Sequence, residues 1–206
     1  MKKMNCGLLA TVVALSLGNM AMADSWTGSL SDWQSAGTVS VSSAGAQVDF
    51  TYVSSANFVA GTTVLITDDV VPGLYTVELS RAGGTSIVAA GDTGDLQYTV
   101  YSAIGFHTAE LDVTHVGASS DVHKYINGSY DLHSVNGSSD HADLNCPTVL
   151  NVHDTVLVGS LSAVTNLQNS YTVCPEPSGI VISAMAMLGC VAMMYRRKKM
   201  TAPVSA

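Results

Sequence analysis

The sequence predicts an all-β domain, an antiparallel two-sheet β-sandwich or jelly roll, lying between two apolar terminal segments. Three observations carry this. Apolar and polar side chains alternate with period two in short runs, the mark of strands with one buried face. Gly, Asn, Asp and Ser interrupt those runs at intervals of roughly ten residues, the spacing of an all-β sandwich. Between residues 24 and 174 no stretch shows helical periodicity over three turns.

In chain order, Lys2 and Lys3 precede an apolar run over 6–17, and Ala21-Met22-Ala23 forms a small-x-small site before Asp24. This pattern predicts a secretory signal peptide over 1–23, cut by signal peptidase between Ala23 and Asp24. Cys6 stands before the apolar run and not at its end, which argues against a lipoprotein. Residues 24–174 are then expected to form one extracytoplasmic domain, a length that supports a sizeable core.

Within that domain, 47–53 reads as a strand with Val48, Phe50 and Tyr52 on one face and Asp49 and Thr51 on the other. The same alternation recurs over 74–80, 95–101 and 111–115. Segments 62–67, 86–90 and 148–158 are more continuously apolar and are expected as central strands. Two Asn-Gly pairs, Asn127-Gly128 and Asn136-Gly137, predict tight type I′ hairpins.

Charge is divided sharply along the chain. All 16 acidic residues fall within 24–177, where Arg81 and Lys124 are the basic ones. Such a body repels phosphate backbones and anionic headgroups, so nucleic acid is excluded as a partner. Divalent cations, or polysaccharide bridged by them, suit it better as partners, although plain solubility of an extracellular protein is the favoured account of the acidity. Of four cysteines, Cys6 leaves with the signal and Cys190 lies in the C-terminal apolar run. Cys146 and Cys174 remain, in a compartment that permits a disulfide; two free thiols are the alternative.

Candidate chemistry is sparse. Six histidines fall between His107 and His153, with carboxylates nearby. A metal site would need three or four such groups to converge from different strands, and no HxH, HExxH or CxxC spacing appears. The expectation is therefore no metal site and no cofactor, with Ca2+ the ion that turns such as Asp68-Asp69, Asp92–Asp95 and Asp140–Asp143 would take. Asp92-Thr93-Gly94 has no second copy to form an aspartic-protease dyad, and no nucleophile elbow or phosphate loop occurs. Trp26 and Trp33 are expected in the core, with stacking on sugar rings as the alternative. No enzyme activity is expected.

The C-terminus is the most specific part of the sequence. Pro175-Glu176-Pro177 stiffens the backbone ahead of an uncharged run over 179–195, which suits a transmembrane helix. Arg196, Arg197, Lys198 and Lys199 follow and would keep that end cytoplasmic. This order resembles the PEP-CTERM sorting signal, whose bearers are processed by exosortases, membrane-embedded cysteine transpeptidases of bacteria that make exopolysaccharide. The resemblance spans 174–199, with 200–206 as a further tail, and implies that Pro175, Glu176 and Pro177 are the recognition motif. It implies transient anchoring in the inner membrane, removal of the tail, and delivery to the cell surface or extracellular matrix. The expected role is structural and non-catalytic, with a carbohydrate-binding module, Ca2+-dependent or not, as the alternative.

Overall fold

The structure is a computed structural model that describes residues 25–175 except 44, 45, 70 and 72. The expected signal cleavage site, Glu176 and Pro177, the 179–195 run and the basic cluster lie outside the described residues. Among the described residues no helix is long and apolar enough to cross a membrane.

The expected sandwich is present. One six-stranded sheet contains β1 (Ser25–Ser29), β4 (Thr62–Asp68), β5 (Leu74–Arg81), β7 (Phe106–Gly117), β10 (Asp140–Asp143) and β12 (Ser162–Val173), in the order β1-β4-β5-β12-β7-β10. The other contains β2 (Thr38–Ser43), β3 (Ala46–Ala56), β6 (Thr93–Ser102), β8 (Ser120–Ile126), β9 (Tyr130–Val135) and β11 (Val149–Val158), in the order β2-β3-β6-β11-β8-β9. Neighbouring strands are antiparallel throughout. The chain passes repeatedly from one sheet to the other, so each sheet is assembled from strands distant in sequence.

Pleating decides which side chains meet between the sheets. In β4, Thr62, Val64, Ile66 and Asp68 are buried and alternate with half-buried Thr63, Leu65 and Thr67. In β6, Leu96, Tyr98 and Val100 point inward, as the alternation predicted. Trp33, Phe50, Tyr75, Tyr98, Phe106 and Tyr171 fill the interior. Tyr98 and Tyr171, from opposite sheets, join their hydroxyls at 2.5 Å, which satisfies two phenols that no water reaches.

Two local expectations are corrected. A short helix, α1 (Leu30–Ala36), interrupts the expected all-strand body. Ser29 Oγ accepts from the Asp32 N–H at 3.1 Å, and Asp32 Oδ2 accepts from the Ser29 N–H at 2.8 Å, a reciprocal capping box. Two turns are too few to reveal helical periodicity, so the cap alone announces this helix. It drives Trp33 into the core, where the indole donates to Phe50 O at 3.3 Å. Segment 86–90 is not a central strand. It contributes one isolated bridge, Val88 to Phe58, and buries Ile87 and Val88 by bonding through Ile87 to Val59 and Val164.

The base of the sandwich is closed covalently. Cys146 and Cys174 are disulfide-bonded, with Cα atoms 6.0 Å apart across a 28-residue separation. In the chain-entropy account such a loop contributes about 3–4 kcal/mol. The turn between β6 and β7 lies directly against this bridge. Gly105 N–H bonds to Ser102 O, Cys174 N–H bonds to Gly105 O at 2.9 Å, and Phe106 N–H bonds to Pro147 O at 3.0 Å. Gly105 has φ 79, and a Cβ built there would stand 2.4 Å from Cys146 O, so both torsion and space demand glycine.

Gly105→Ala should therefore lower unfolding stability by on the order of 2 kcal/mol or more. Gly91 also has positive φ but open space at its Cβ, so Gly91→Ala should cost only about 1 kcal/mol. Equal urea midpoints for the two variants would contradict the close approach at Cys146.

Candidate functional site

The outer face of the second sheet gathers three of the six histidines. Inward positions of β8 are Val122, Lys124 and Ile126, which leaves Asp121, His123 and Tyr125 facing out. On β9, Leu132 and Ser134 are buried while Asp131 and His133 face out. Strand β11 adds His153, and β6 adds Asp95 and Gln97.

His123 and His133 are register partners across the β8–β9 hairpin. Their rings stack at a centroid separation of 4.1 Å and an angle of 13°. His123 Nδ1 lies 2.9 Å from Asp131 Oδ1, while its Nε2 lies 3.4 Å from Asp121 Oδ1. His133 Nε2 reaches the same Asp121 oxygen at 2.5 Å. Tyr125 extends the stack, parallel to His123 at 5.5 Å, and leans toward His153 at 6.0 Å. His153 Nε2 contacts Asp95 Oδ2 at 2.5 Å.

The turn fixes this register. Asn127 and Gly128 take φ 52 and 65, and Ser129 N–H closes on Ile126 O at 3.0 Å, as a type I′ turn requires. Strand pairing resumes at Tyr130 and not at Ser129, which leaves one extra residue in the loop. A hairpin without that residue would oppose His123 to Leu132 and set an imidazole beside a core position. Asn136-Gly137 makes a similar tight turn, with φ 52 and 80, but joins β9 to β10 of the other sheet, so the second expected hairpin is an inter-sheet corner.

The other candidates do not assemble. His107 and His141 are exposed on β7 and β10, and His115 is half-buried on β7, all in the first sheet. Asp95 is engaged by His153, and Asp140 accepts the backbone N–H groups of His133 and His141. Among the described residues, Asp121, His123 and His133 are the His/Cys/Asp/Glu group whose ligand atoms converge, all within 4.8 Å of one another. Pro175 is exposed, and buried Trp33 is removed from any sugar platform.

A second polar cluster, which the sequence reading missed, lies between the sheets. Lys124 and Asp154 are cross-strand partners on the inner face, both fully buried, with buried Asn169 entering from the opposite sheet. Lys124 Nζ donates to Glu110 O at 3.0 Å and sits 4.1 Å from the centre of the Tyr171 ring. Asn169 Nδ2 donates to Asp154 Oδ2 at 2.6 Å, while Asp154 Oδ1 and Asn169 Oδ1 have no hydrogen-bond partner. Burial pulls the Lys124 ammonium down to about 7 against the opposing charges of Asp154 and Glu110. Burial likewise pushes Asp154 up to about 6, against Lys124, the Asn169 amide, His153 and Tyr98. Burial also holds Tyr98 and Tyr171 well above the usual phenol range, so both remain neutral, one hydroxyl donating and the other accepting in their shared bond.

No protein-family model matches this chain, and a comparison with curated proteins returns no match.

Lys124→Met leaves the Asp154 carboxylate buried without its counter-charge, a loss of about 3–5 kcal/mol at neutral pH. Asp154 already has a folded-state pKa above its unfolded value, so its contribution is greatest when protonated and fades as pH rises through about 6. Removing Lys124 raises that pKa further. The variant's deficit should accordingly widen between about pH 5 and pH 8. Urea unfolding of parent and variant at both ends tests this; a deficit independent of pH would contradict the pairing.

Proposed function

We propose that the protein is an exported cell-surface or extracellular-matrix component with a structural role, handled through its C-terminal sorting signal by an exosortase-type transpeptidase. In this reading the chain is the substrate of the sorting enzyme and not a catalyst. The observation that carries it is the Cys146–Cys174 disulfide, which ends the sandwich one residue before Pro175. A disulfide of this kind suits an oxidising compartment outside the cytoplasm. It also makes Pro175, which is exposed, the first residue beyond the covalent closure, where the proposed recognition motif begins. The acidic body adds support, since it suits a hydrated matrix and repels anionic membrane surfaces.

A second reading, a carbohydrate-binding surface, is favoured by one observation. Beside the histidine stack, a shallow hollow is lined by Tyr125, Gln97, Asn127, Asn151 and His153, an aromatic face among amide and imidazole groups. Sugar binding combines such stacking with polar contacts. Glycan-array binding that Tyr125→Ala abolishes would support it, and calcium titration of the same samples reports any dependence on that ion.

Intact-mass measurement of cell-associated and released protein tests the main reading. The expected released form lacks the basic cluster and carries one disulfide. Replacing Pro175, Glu176 and Pro177 by alanine should leave the full-length form in the membrane fraction. Release of the triple variant, shortened at the same place, would sink the reading.

A further inference from the structure

We propose that Asp121, His123 and His133 form a binding site for a divalent transition metal of the zinc class, with Asp131 as its positioning residue. The proposal stands apart from the sorting reading and rests on the hairpin alone. Two imidazoles held as register partners, with rings nearly parallel, carry their Nε2 atoms side by side toward one carboxylate oxygen. The contacts to Asp121 Oδ1, at 2.5 and 3.4 Å, bring both nitrogens to one carboxylate oxygen, and the three ligand atoms lie within 4.8 Å of one another. Two nitrogens and one oxygen match the three protein ligands of an open zinc site, in which water fills the fourth position.

The orientation of His123 points the same way. Its Nδ1 meets Asp131 Oδ1 at 2.9 Å. With the proton on Nδ1 donated to that carboxylate, the Nε2 lone pair faces the Asp121 side, the arrangement in which an outer carboxylate fixes the tautomer of a metal-ligating histidine. His133 now touches Asp121 directly; on binding, its Nε2 gives up that contact, and any proton there leaves to solvent as the metal takes its place.

Charge favours a cation here. Asp121 and Asp131 lie in the cluster, and Asp140 accepts from the His133 N–H at 2.9 Å. Among the described residues the two basic side chains are Arg81 and Lys124; Arg81 belongs to the other sheet, and Lys124 points into the core. The donor set selects the metal. Imidazole suits zinc, nickel and copper, whereas Ca2+ and Mg2+ require oxygen ligands that this site does not supply in number.

The test is calorimetric titration of the full chain, purified in detergent without a polyhistidine tag, with Zn2+ alone and with Ca2+ in excess. One Zn2+ per chain is expected, undisturbed by Ca2+. His123→Gln and His133→Gln should each weaken binding by at least about tenfold, and Asp131→Asn by about 10–100-fold although it does not touch the metal. His107→Gln, on the other sheet, should leave binding unchanged. These side chains are partly or fully exposed, so thermal unfolding without metal should show each variant folded, and Zn2+ should raise the midpoint of the parent but not of the doubly substituted His123→Gln/His133→Gln chain. Absence of Zn2+ binding, binding that survives the double substitution, or full competition by Ca2+ overturns the proposal.

Discussion

Tyr171 is the residue against which the two sheets are held together. Its hydroxyl meets that of Tyr98 across the interior, its ring is flanked by Phe50 and Phe106, and the Lys124 ammonium rests on its face. One side chain of β12 thereby touches strands of both sheets. Apolar packing alone is tolerant of sliding, because one hydrophobic contact substitutes for another. A hydroxyl pair, a cation over a ring and an amide bonded to a carboxylate are not tolerant, since each leaves a desolvated group behind when displaced. The polar interior thus specifies how the sheets are mated, while the surrounding Val, Leu and Ile supply most of the driving force.

This arrangement explains why the two basic residues of an acidic domain are used so differently. Arg81 closes β5 near the surface, whereas Lys124 is spent inside, opposite Asp154. Interior charge is costly, and the proximity of the two shifted ionisation ranges, about 7 and about 6, expresses that cost. The outer face of the same strand is free to carry chemistry. Pleating sends Lys124 inward and His123 and Tyr125 outward, so β8 serves the core with one face and the histidine cluster with the other.

The fold class was legible because alternation and turn residues repeat along the whole body. Its exceptions were legible only locally: Ser29-x-x-Asp32 marks α1, and no longer pattern does. The interior cluster left a trace that period-two reading passes over. Val122-x-Lys124-x-Ile126, Val152-x-Asp154-x-Val156 and Leu167-x-Asn169-x-Tyr171 each set one polar residue in an inward series. Three such interruptions imply a common meeting place, but which strands face each other is a property of topology that spacing does not encode. The histidine cluster was hidden for a different reason. Spacing along the chain does not single out His133 as the partner of His123, because a turn whose one extra residue sets the pairing lies between them.

The disulfide has a mechanical consequence. Tension applied to the chain beyond Cys174 does not reach β12 alone, because the same sulfur atoms lead through Cys146 into the segment that opens β11. These two strands occupy interior positions in their respective sheets, each paired on both sides. Load arriving from the tail is therefore divided between both layers and borne by rows of hydrogen bonds that must fail together, whereas a tail attached to a border strand would peel them one at a time.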